Sequence, residues 1–360
     1  METIDNIYKN LFDNTAYWDY YKQREYFSYP FGSDDYSLCD NFIISYFRFA
    51  GKEIDSFRGF TDKLAKRSQH VVSTFFLGIY LYNNSDYIHN EVNKELRYNY
   101  AVWCNDFEIE REFTFIWFLI SLFHDMGYII EEEKNGKTPK YASFQEFLEI
   151  ECNGKKLQKF TGIPKIYANA YKPYFEYRIN VHHKNDHGIC AAFLLFKNLC
   201  EIRARKEKEK DSTPEDKLYW GKSLIKIYNF AAWIILSHNI WYGDKNDPCK
   251  MAEYNCAGLK DFLIDDKEFK IRFEDHPTFF LFCLVDSIEF LKSVKDISLL
   301  KKIELGINNG NSKECEIVVE SKLACGCNDN VLKSVKDLNT WLTATEKIGD
   351  KTIKIHLQPK

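Results

Sequence analysis

The sequence has little of what marks membrane, secreted or nucleic-acid-binding chains. Its longest apolar runs, Phe113–Phe123 and Phe230–Leu236, fall short of the roughly 18 residues that span a bilayer. The N-terminus METIDNIYKN has no signal-peptide pattern. Lys and Arg number 49 against 53 Asp and Glu, so the net charge is only −4 and no strongly basic domain indicates a large nucleic-acid surface. We therefore predict a soluble, cytoplasmic protein without a membrane partner.

Cysteine is plentiful, but its pattern indicates neither disulfides nor a zinc knuckle. The eleven cysteines are scattered and odd in number. Cys190 and Cys283 lie in apolar helical runs, where a thiol behaves as a small hydrophobe. Cys325 and Cys327 are too close together and too isolated for a zinc knuckle. We predict reduced thiols, as expected in the cytosol.

Aromatic residues are abundant, and the chain is organised around one apolar run. The sequence has 29 Phe and 23 Tyr, enough for a large aromatic core. The stretch Glu112–Tyr128, EFTFIWFLISLFHDMGY, is apolar enough for a buried helix and ends in His124, Asp125 and Gly127. Burial carries the imidazole and the carboxylate into the interior, where a charge needs a partner or a metal. Taken alone, the pair is equally compatible with a hydrogen-bonded helix end.

Four further apolar segments each deliver a residue of a type that binds metals. These segments and their residues are Lys66–Tyr82 with His70, Asp186–Cys200 with His187, Pro214–His238 with His238, and Phe279–Phe290 with Asp286. A single histidine on an apolar face is usually a core histidine with a hydrogen-bond partner, but so many coincidences are better explained by one metal site. Imidazole and carboxylate ligands suit Zn, Mn, Fe or Ni rather than Ca. The residues predicted to share one ion are His70, His124, Asp125 and Asp286.

The order of these residues resembles that of a known family. His70, the His124-Asp125 pair and Asp286 follow the H…HD…D pattern of the HD superfamily of metal-dependent phosphohydrolases. Arg67, three residues before His70, resembles a common feature of that family's first helix. The family implies a helical bundle, hydrolysis of a phosphate ester, and one or two divalent transition-metal ions (Mn, Fe, Ni or Zn) as cofactors.

His187 and His238 extend the resemblance to members that bind two metals. They fit the H…HD…H…H…D arrangement of HD-GYP proteins and cyclic-nucleotide phosphodiesterases, and Ala191 and Leu195 follow His187 at the HD-GYP spacing. The sequence departs from HD-GYP proteins because it lacks the GYP signature and has one histidine, His238, where they carry a pair. Tyr128 also replaces the Lys that often follows HD-x-G. These departures weigh against a cyclic di-nucleotide substrate.

The resemblance also implies roles for the residues. Metal ions lower the pKa of bound water and neutralise phosphoryl charge. With two ions, Asp125 would bridge them while His187 and His238 bind the second. With one ion, either histidine would be a proton donor or a phosphate-binding group. Arg67 and Lys184 are candidates for phosphate contact. The implied catalytic residues are His124, Asp125, His187 and His238. Rival ligands in a predicted loop are His182 and His183.

We predict a mainly α protein in three parts. Residues 1–60 form a helical lead-in, residues 61–295 an HD-type helical bundle, and residues 296–360 a small α+β extension. The elements predicted in the extension are strands at Ile303–Gly306 and Glu314–Val319 about a turn at Asn308-Asn309-Gly310, a helix at Val331–Thr343 and a last strand at Thr352–Leu357.

The predicted activity is hydrolysis of a phosphate ester, of a nucleotide or cyclic nucleotide, by metal-activated water. A nuclease acting on single-stranded nucleic acid is an alternative, because the resemblance covers such enzymes too. A second alternative is a non-catalytic sensor, whose core binds a nucleotide or metal while the C-terminal extension contacts a partner. The intact ligand set favours catalysis.

Overall fold

The fold is mainly helical, with one small antiparallel sheet, which confirms the predicted mainly α class. The computed structural model describes residues 1–18, 27–49, 60–101, 109–131, 138–158, 163–208, 224–265, 270–294, 296–311, 313–321, 333–338, 342–343, 345–348 and 352–357. The helices in this part of the chain are α1 (Ile4–Asp13), α2 (Tyr36–Phe49), α3 (Phe60–Asn84), α4 (Asp86–Ala101), α5 (Ile109–Phe123), α6 (Tyr128–Glu131), α7 (Phe144–Cys152), α8 (Tyr167–His182), α9 (His187–Lys206), α10 (Leu224–Ser237), α11 (Pro248–Cys256), α12 (Pro277–Ile288) and α13 (Leu291–Val294).

The strands form two sheets. The strands are β1 (Glu2–Thr3), β2 (Gly243–Asp244), β3 (Leu263–Ile264), β4 (Ile303–Asn311), β5 (Glu314–Ser321), β6 (Thr345–Ile348) and β7 (Thr352–Leu357). The larger sheet has the order β1-β4-β5-β7-β6, with every pair antiparallel. The smaller one is a parallel pair of β2 and β3. Along β7, side chains are alternately half-buried and buried, as in a strand with one face on the core.

The predicted strands of the C-terminal part are confirmed, but the predicted turn between the first two is displaced. Asn308 and Asn309 continue β4, because they pair with Glu316 and Cys315 of β5. The register shifts between Asn309 and Asn311, so the turn follows that irregularity. The predicted helix at Val331–Thr343 is helical at 333–338, but its predicted end is wrong, because Leu342 forms an isolated β-bridge with Ile271. Residues 331–332 and 339–341 of this prediction lie outside the described part of the chain. The predicted start of the helix ending at His238, and Cys325 and Cys327, also lie outside it.

Contacts divide the chain into two compact units. The first comprises residues 1–45, 67–121 and 269–360, and the second comprises residues 46–66 and 122–268. The predicted domain boundaries near residues 60 and 295 stay predictions.

In the first unit, α3 and α5 pack closely because Gly78 leaves room. A Cβ at position 78 would overlap the indole of Trp117. The indole N–H of Trp117 donates to the carbonyl oxygen of Phe75 at 2.9 Å. Phe113 stacks on Tyr82 with 3.8 Å between the ring centroids. These contacts fix α3, the helix that carries His70, against the apolar face of α5.

Helix α12, also in the first unit, is capped by a side chain from α4. Pro277 begins the helix, where a missing N–H costs nothing. The backbone N–H and the hydroxyl of Thr278 both donate to Oε2 of Glu95, at 2.9 and 2.6 Å. Burial raises the pKa of Glu95 to about 7, although these hydrogen bonds lower it. Glu95 thus anchors the start of the helix whose last turn carries Asp286.

In the second unit, the start of α9 is fixed by its N-cap. Asp186 Oδ1 accepts from the backbone N–H of Ile189 at 2.9 Å, which satisfies a helix donor. The other carboxylate oxygen of Asp186 accepts from the amide of Asn239 at 2.6 Å. Because Asn239 directly follows His238, this contact brings the end of α10 to the start of α9, where His187 lies.

One helical stretch, Phe113–Glu131, is long and apolar enough to cross a membrane by length and composition, with a mean hydropathy of 1.5. It exceeds the predicted run because helical structure continues past Phe123 through a turn and α6. Inside the protein 89% of its apolar window is buried, which is the burial of a core helix. Among the cysteines that the structure describes, the free thiols are Cys39, Cys152, Cys190, Cys200, Cys249, Cys256, Cys283 and Cys315.

Candidate metal centre

The HD pair lies in the interior, as its apolar helix predicts. Helix α5 ends at Phe123, and His124–Gly127 form a 3₁₀ turn. Successive side chains therefore project about 120° apart rather than the 100° of an α-helix. His124 is fully buried and Asp125 is 3% exposed. The tighter turn gives the imidazole and the carboxylate different directions while keeping both out of solvent.

Gly127 allows this turn to lie directly on the start of α9. A Cβ at position 127 would overlap the carbonyl oxygen of His187 and come within 2.8 Å of the backbone nitrogen of Ala191. These are backbone atoms that cannot move aside as a flexible side chain would. The glycine two residues after Asp125 is therefore a packing requirement, and it brings the HD pair next to His187.

In the second unit, four predicted residues lie together around Asp125. Oδ1 of Asp125 is 3.3 Å from Nε2 of His124 and 4.0 Å from Nε2 of His187. The ring centroid of His238 is 5.5 Å from that of His124 and 5.6 Å from that of His187. One carboxylate oxygen thus lies between two imidazole nitrogens, with a third imidazole close by.

In the first unit, His70 lies between two carboxylates. Its Nε2 is 3.1 Å from Oδ1 of Asp286, and its Nδ1 is 2.7 Å from Oε2 of Glu289. Glu289 is fully buried. Its Oε1 accepts from the hydroxyl of Ser73 at 2.5 Å and from the N–H of Leu291 at 2.8 Å. Glu289 is therefore held rigidly, and it holds His70 in turn.

The hydrogen bonds at Nδ1 leave Nε2 as the ligand atom in three of the histidines. Nδ1 of His70 donates to Glu289, and Nδ1 of His187 donates to Oε2 of Glu131 at 2.9 Å. Nδ1 of His238 donates to the carbonyl oxygen of Ile235. An acceptor at Nδ1 fixes the proton of the neutral imidazole there, so in that form the Nε2 lone pair is available to an ion. This is the usual arrangement of metal-binding histidines in proteins.

Charged neighbours shift the pKa of two residues at these sites. Burial and the charge of Lys292 lower the pKa of His70. Hydrogen bonds to Asp286 and Glu289 raise it by more, so the net shift is upward.

For Glu131, burial raises the pKa, and the hydrogen bond from His187 opposes it. The charges of Arg178 and Lys184 act in the same direction as that bond, so the pKa of Glu131 is held below its ordinary value. Glu131 is therefore a carboxylate at neutral pH.

In the first unit, Nε2 of His70 and Oδ1 of Asp286 are 3.1 Å apart, and in the second unit Nε2 of His124 and Oδ1 of Asp125 are 3.3 Å apart. Two ligands of one ion at 2.0–2.2 Å are at most about 4.4 Å apart, so each pair can bind one ion. That both pairs bind the same ion stays a prediction. Histidine and carboxylate donors match the ions predicted from the sequence, Mn, Fe, Ni or Zn. The donor set fits such an ion, whose presence and identity stay predictions.

The remaining predicted residues differ in their distance from these ligands. Lys184 is half exposed, and its Nζ is 3.5 Å from Oε1 of Glu131, the partner of His187. Arg67 lies on α3, one turn before His70, and is partly exposed. His182, the last residue of α8, is exposed and forms a hydrogen bond with the hydroxyl of Tyr177 at 3.2 Å. His183 follows the helix as its C-cap, with φ at 56°. Neither rival histidine has a contact with the ligand set among the described interactions.

Two carboxylates at the site, Glu131 and Glu289, were not predicted. Glu131 begins a charged stretch, EEEK, whose composition is typical of a solvated loop. The sequence did contain an indication of Glu289, because it is a second acid three residues after Asp286 in an otherwise apolar run. Arg178, also not predicted, places Nη2 3.4 Å from Oε1 of Glu131.

Comparisons of the chain with protein-family models, with curated proteins and with solved structures return no match.

Proposed function

We propose that the protein is a metal-dependent phosphohydrolase of the HD type that cleaves a phosphate ester of a nucleotide or cyclic nucleotide in the cytoplasm. The observation that carries the proposal is the group around Asp125, where one carboxylate oxygen lies between Nε2 of His124 and Nε2 of His187. Both histidines are buried, and the Nδ1 of His187 is hydrogen-bonded to Glu131, so its Nε2 is free to bind an ion.

The proposed ligands form two groups. His70, His124, Asp125 and Asp286 bind one ion. His187 and His238 bind a second ion or act on the substrate directly. A bound divalent ion supplies a lower pKa for coordinated water and neutralises phosphoryl charge. Asp125 would bridge two ions, because its Oδ1 lies 3.3 Å from Nε2 of His124 and 4.0 Å from Nε2 of His187.

Two cations support an anionic substrate. Lys184 is half exposed beside Glu131, so its ammonium is accessible from solvent and is one proposed phosphate contact. Arg67, partly exposed one turn before His70, is the second proposed phosphate contact. Free cysteines among the described residues agree with a cytoplasmic location.

The test combines metal analysis with a substrate screen. We would measure bound Mn, Fe, Ni and Zn in the purified protein and after reconstitution. We would then assay hydrolysis of nucleoside phosphates, cyclic nucleotides, single-stranded nucleic acid and a generic phosphodiester. Metal-dependent release of phosphate or nucleotide supports the proposal. A metal-loaded protein inert on every phosphoester would overturn it in favour of a sensor, and turnover of nucleic acid alone would make it a nuclease.

Asp125→Ala is the decisive variant. It removes a ligand without removing apolar core, so we expect loss of metal and of hydrolysis with an unchanged helical circular dichroism spectrum. Asp261→Ala is the matched control, because Asp261 is an exposed acid in the same compact unit. Full activity in Asp125→Ala would show that the site lies elsewhere.

A further inference from the structure

We propose that Glu131 is a positioning residue, whose carboxylate holds the Nδ1–H of His187 and thereby aims Nε2 at Asp125. The inference rests on the proposed function, because it assigns His187 its ligand or proton-donor atom. Its geometry lies entirely within the second compact unit.

The His187 ring lies between two carboxylates. Its Nδ1 is 2.9 Å from Oε2 of Glu131, and its Nε2 is 4.0 Å from Oδ1 of Asp125. The side chains of Glu131 and His187 are 5% and 9% exposed, so water hardly competes for these contacts. The short contact is a hydrogen bond and the long one is not. The proton therefore belongs on Nδ1, which leaves the Nε2 lone pair facing Asp125.

Helix α6 holds the imidazole by a second contact. Tyr128 stacks on His187 with 4.0 Å between ring centroids and 14° between ring planes. Tyr128 and Glu131 are three residues apart, so they lie on one face of the helix. Stacking sets the plane of the imidazole, and the hydrogen bond sets its rotation within that plane. The tyrosine that departs from the HD-x-G-Lys pattern thus has a defined role here.

Glu131 is itself held by two cations at its other carboxylate oxygen. Nη2 of Arg178 lies 3.4 Å and Nζ of Lys184 lies 3.5 Å from its Oε1. Nε of Arg178 is 3.6 Å from Asp186, which caps the helix that begins with His187. Oε2 therefore remains directed at Nδ1, and the carboxylate bridges the two cations to the imidazole.

A purely structural role for Glu131, as the ion-pair partner of Arg178, predicts different behaviour. It would affect unfolding but not the protonation site of His187. We would therefore measure the His187 tautomer by long-range ¹H–¹⁵N NMR in the metal-free protein at about pH 8.5, two units above the ordinary imidazole pKa. The His187 signals are assigned by their loss in His187→Gln.

The variants separate the carboxylate's hydrogen bond from its charge. Glu131→Gln keeps an acceptor oxygen, so Nδ1–H should persist. Glu131→Leu removes it, and we expect His187 to populate both tautomers and Zn²⁺ affinity to fall about 10- to 100-fold, the usual effect of losing such a partner. Glu253→Gln is the control, because Glu253 accepts from Tyr177 and Lys250 in the same unit. In this variant the His187 tautomer and the Zn²⁺ affinity should match those of the wild type.

An unchanged tautomer and unchanged Zn²⁺ affinity in Glu131→Leu would overturn the inference. If that variant does not fold, Glu131→Asp takes its place, because its carboxylate is shorter by one methylene and lies farther from Nδ1. Its His187 tautomer and Zn²⁺ affinity decide by the same criteria. The NMR measurement needs no metal, so it decides on Glu131 even if the wild type binds no Zn²⁺. Absence of binding in the wild type would instead count against the proposed function.

Discussion

Glu95, which caps α12, should make the free energy of unfolding depend on pH by an amount that can be calculated. Glu95 is half-buried and accepts two hydrogen bonds from Thr278. Burial raises its pKa to about 7 from an ordinary value of 4.5. The folded protein therefore holds this proton more tightly than the unfolded chain does. The resulting stabilisation is complete below about pH 4.5 and is lost as the pH rises through about 7.

The size of the effect follows from the shift in pKa. At 1.36 kcal/mol per unit, a shift of about 2.5 units corresponds to about 3 kcal/mol, and the remaining exposure of the side chain makes this an upper limit. Glu95→Gln keeps an acceptor for Thr278 without the charge. We expect the variant to be more stable than wild type by up to about 3 kcal/mol at pH 8, with this advantage disappearing towards pH 4.5.

Urea unfolding followed by circular dichroism, at intervals between about pH 4.5 and 8.5, measures this difference. Glu149→Gln, which changes an exposed acid on α7, is the control and should show no pH-dependent difference from wild type. A constant difference between Glu95→Gln and wild type across the range would refute the reasoning, because it would mean that Glu95 does not titrate differently in the folded protein.

Three further predictions concern the candidate centre. Metal analysis should find two ions in the wild type and one in His187→Ala and in His238→Ala; one ion throughout, with only the rate reduced, would leave these histidines as acid or substrate-binding groups. Gly127→Ala should lower the free energy of unfolding by about 1–3 kcal/mol in urea and weaken metal binding, because the added Cβ overlaps backbone atoms. Gly32→Ala, where the Cβ makes only ordinary contacts, is the control and should change neither. Glu289→Gln should cost about 2–3 kcal/mol by the same assay, since the NH₂ group that replaces one carboxylate oxygen cannot accept from the donors that both oxygens now face. An unaltered midpoint would show that this network contributes little.

The burial of the four histidines could be predicted because apolar runs determine burial. His124 follows an unbroken apolar helix and is fully buried, whereas Asp286, inside another apolar run, stays partly exposed and pairs with Lys292. The residues that orient them could not be predicted in the same way. Glu131 is surrounded by charge in the sequence, and its contact with His187 depends on the packing of α6 against α9. That packing has no local sequence pattern.

The same distinction holds for the sheet. Strands β5 and β7 were predicted from alternating β-branched residues, which is a local signal. Strand β1 has only two residues, Glu2 and Thr3, and pairs with Leu305 and Glu304 from the far end of the chain. Nothing in its own composition indicates a strand. Long-range pairing of this kind is determined by the fold as a whole.

The segment His124–Glu131 makes the centre sensitive to register. Within it, Asp125 faces the imidazoles, and Gly127 leaves room for the backbone of α9. Tyr128 stacks on the ring of His187, and Glu131 hydrogen-bonds it. Inserting or deleting a single residue between Gly127 and Glu131 would rotate the later side chains by about 100°. The contacts to His187 would be lost while the ligands His124 and Asp125 remained in place. Chains that share this arrangement should therefore keep the length of the segment and vary in residue type only at its other positions.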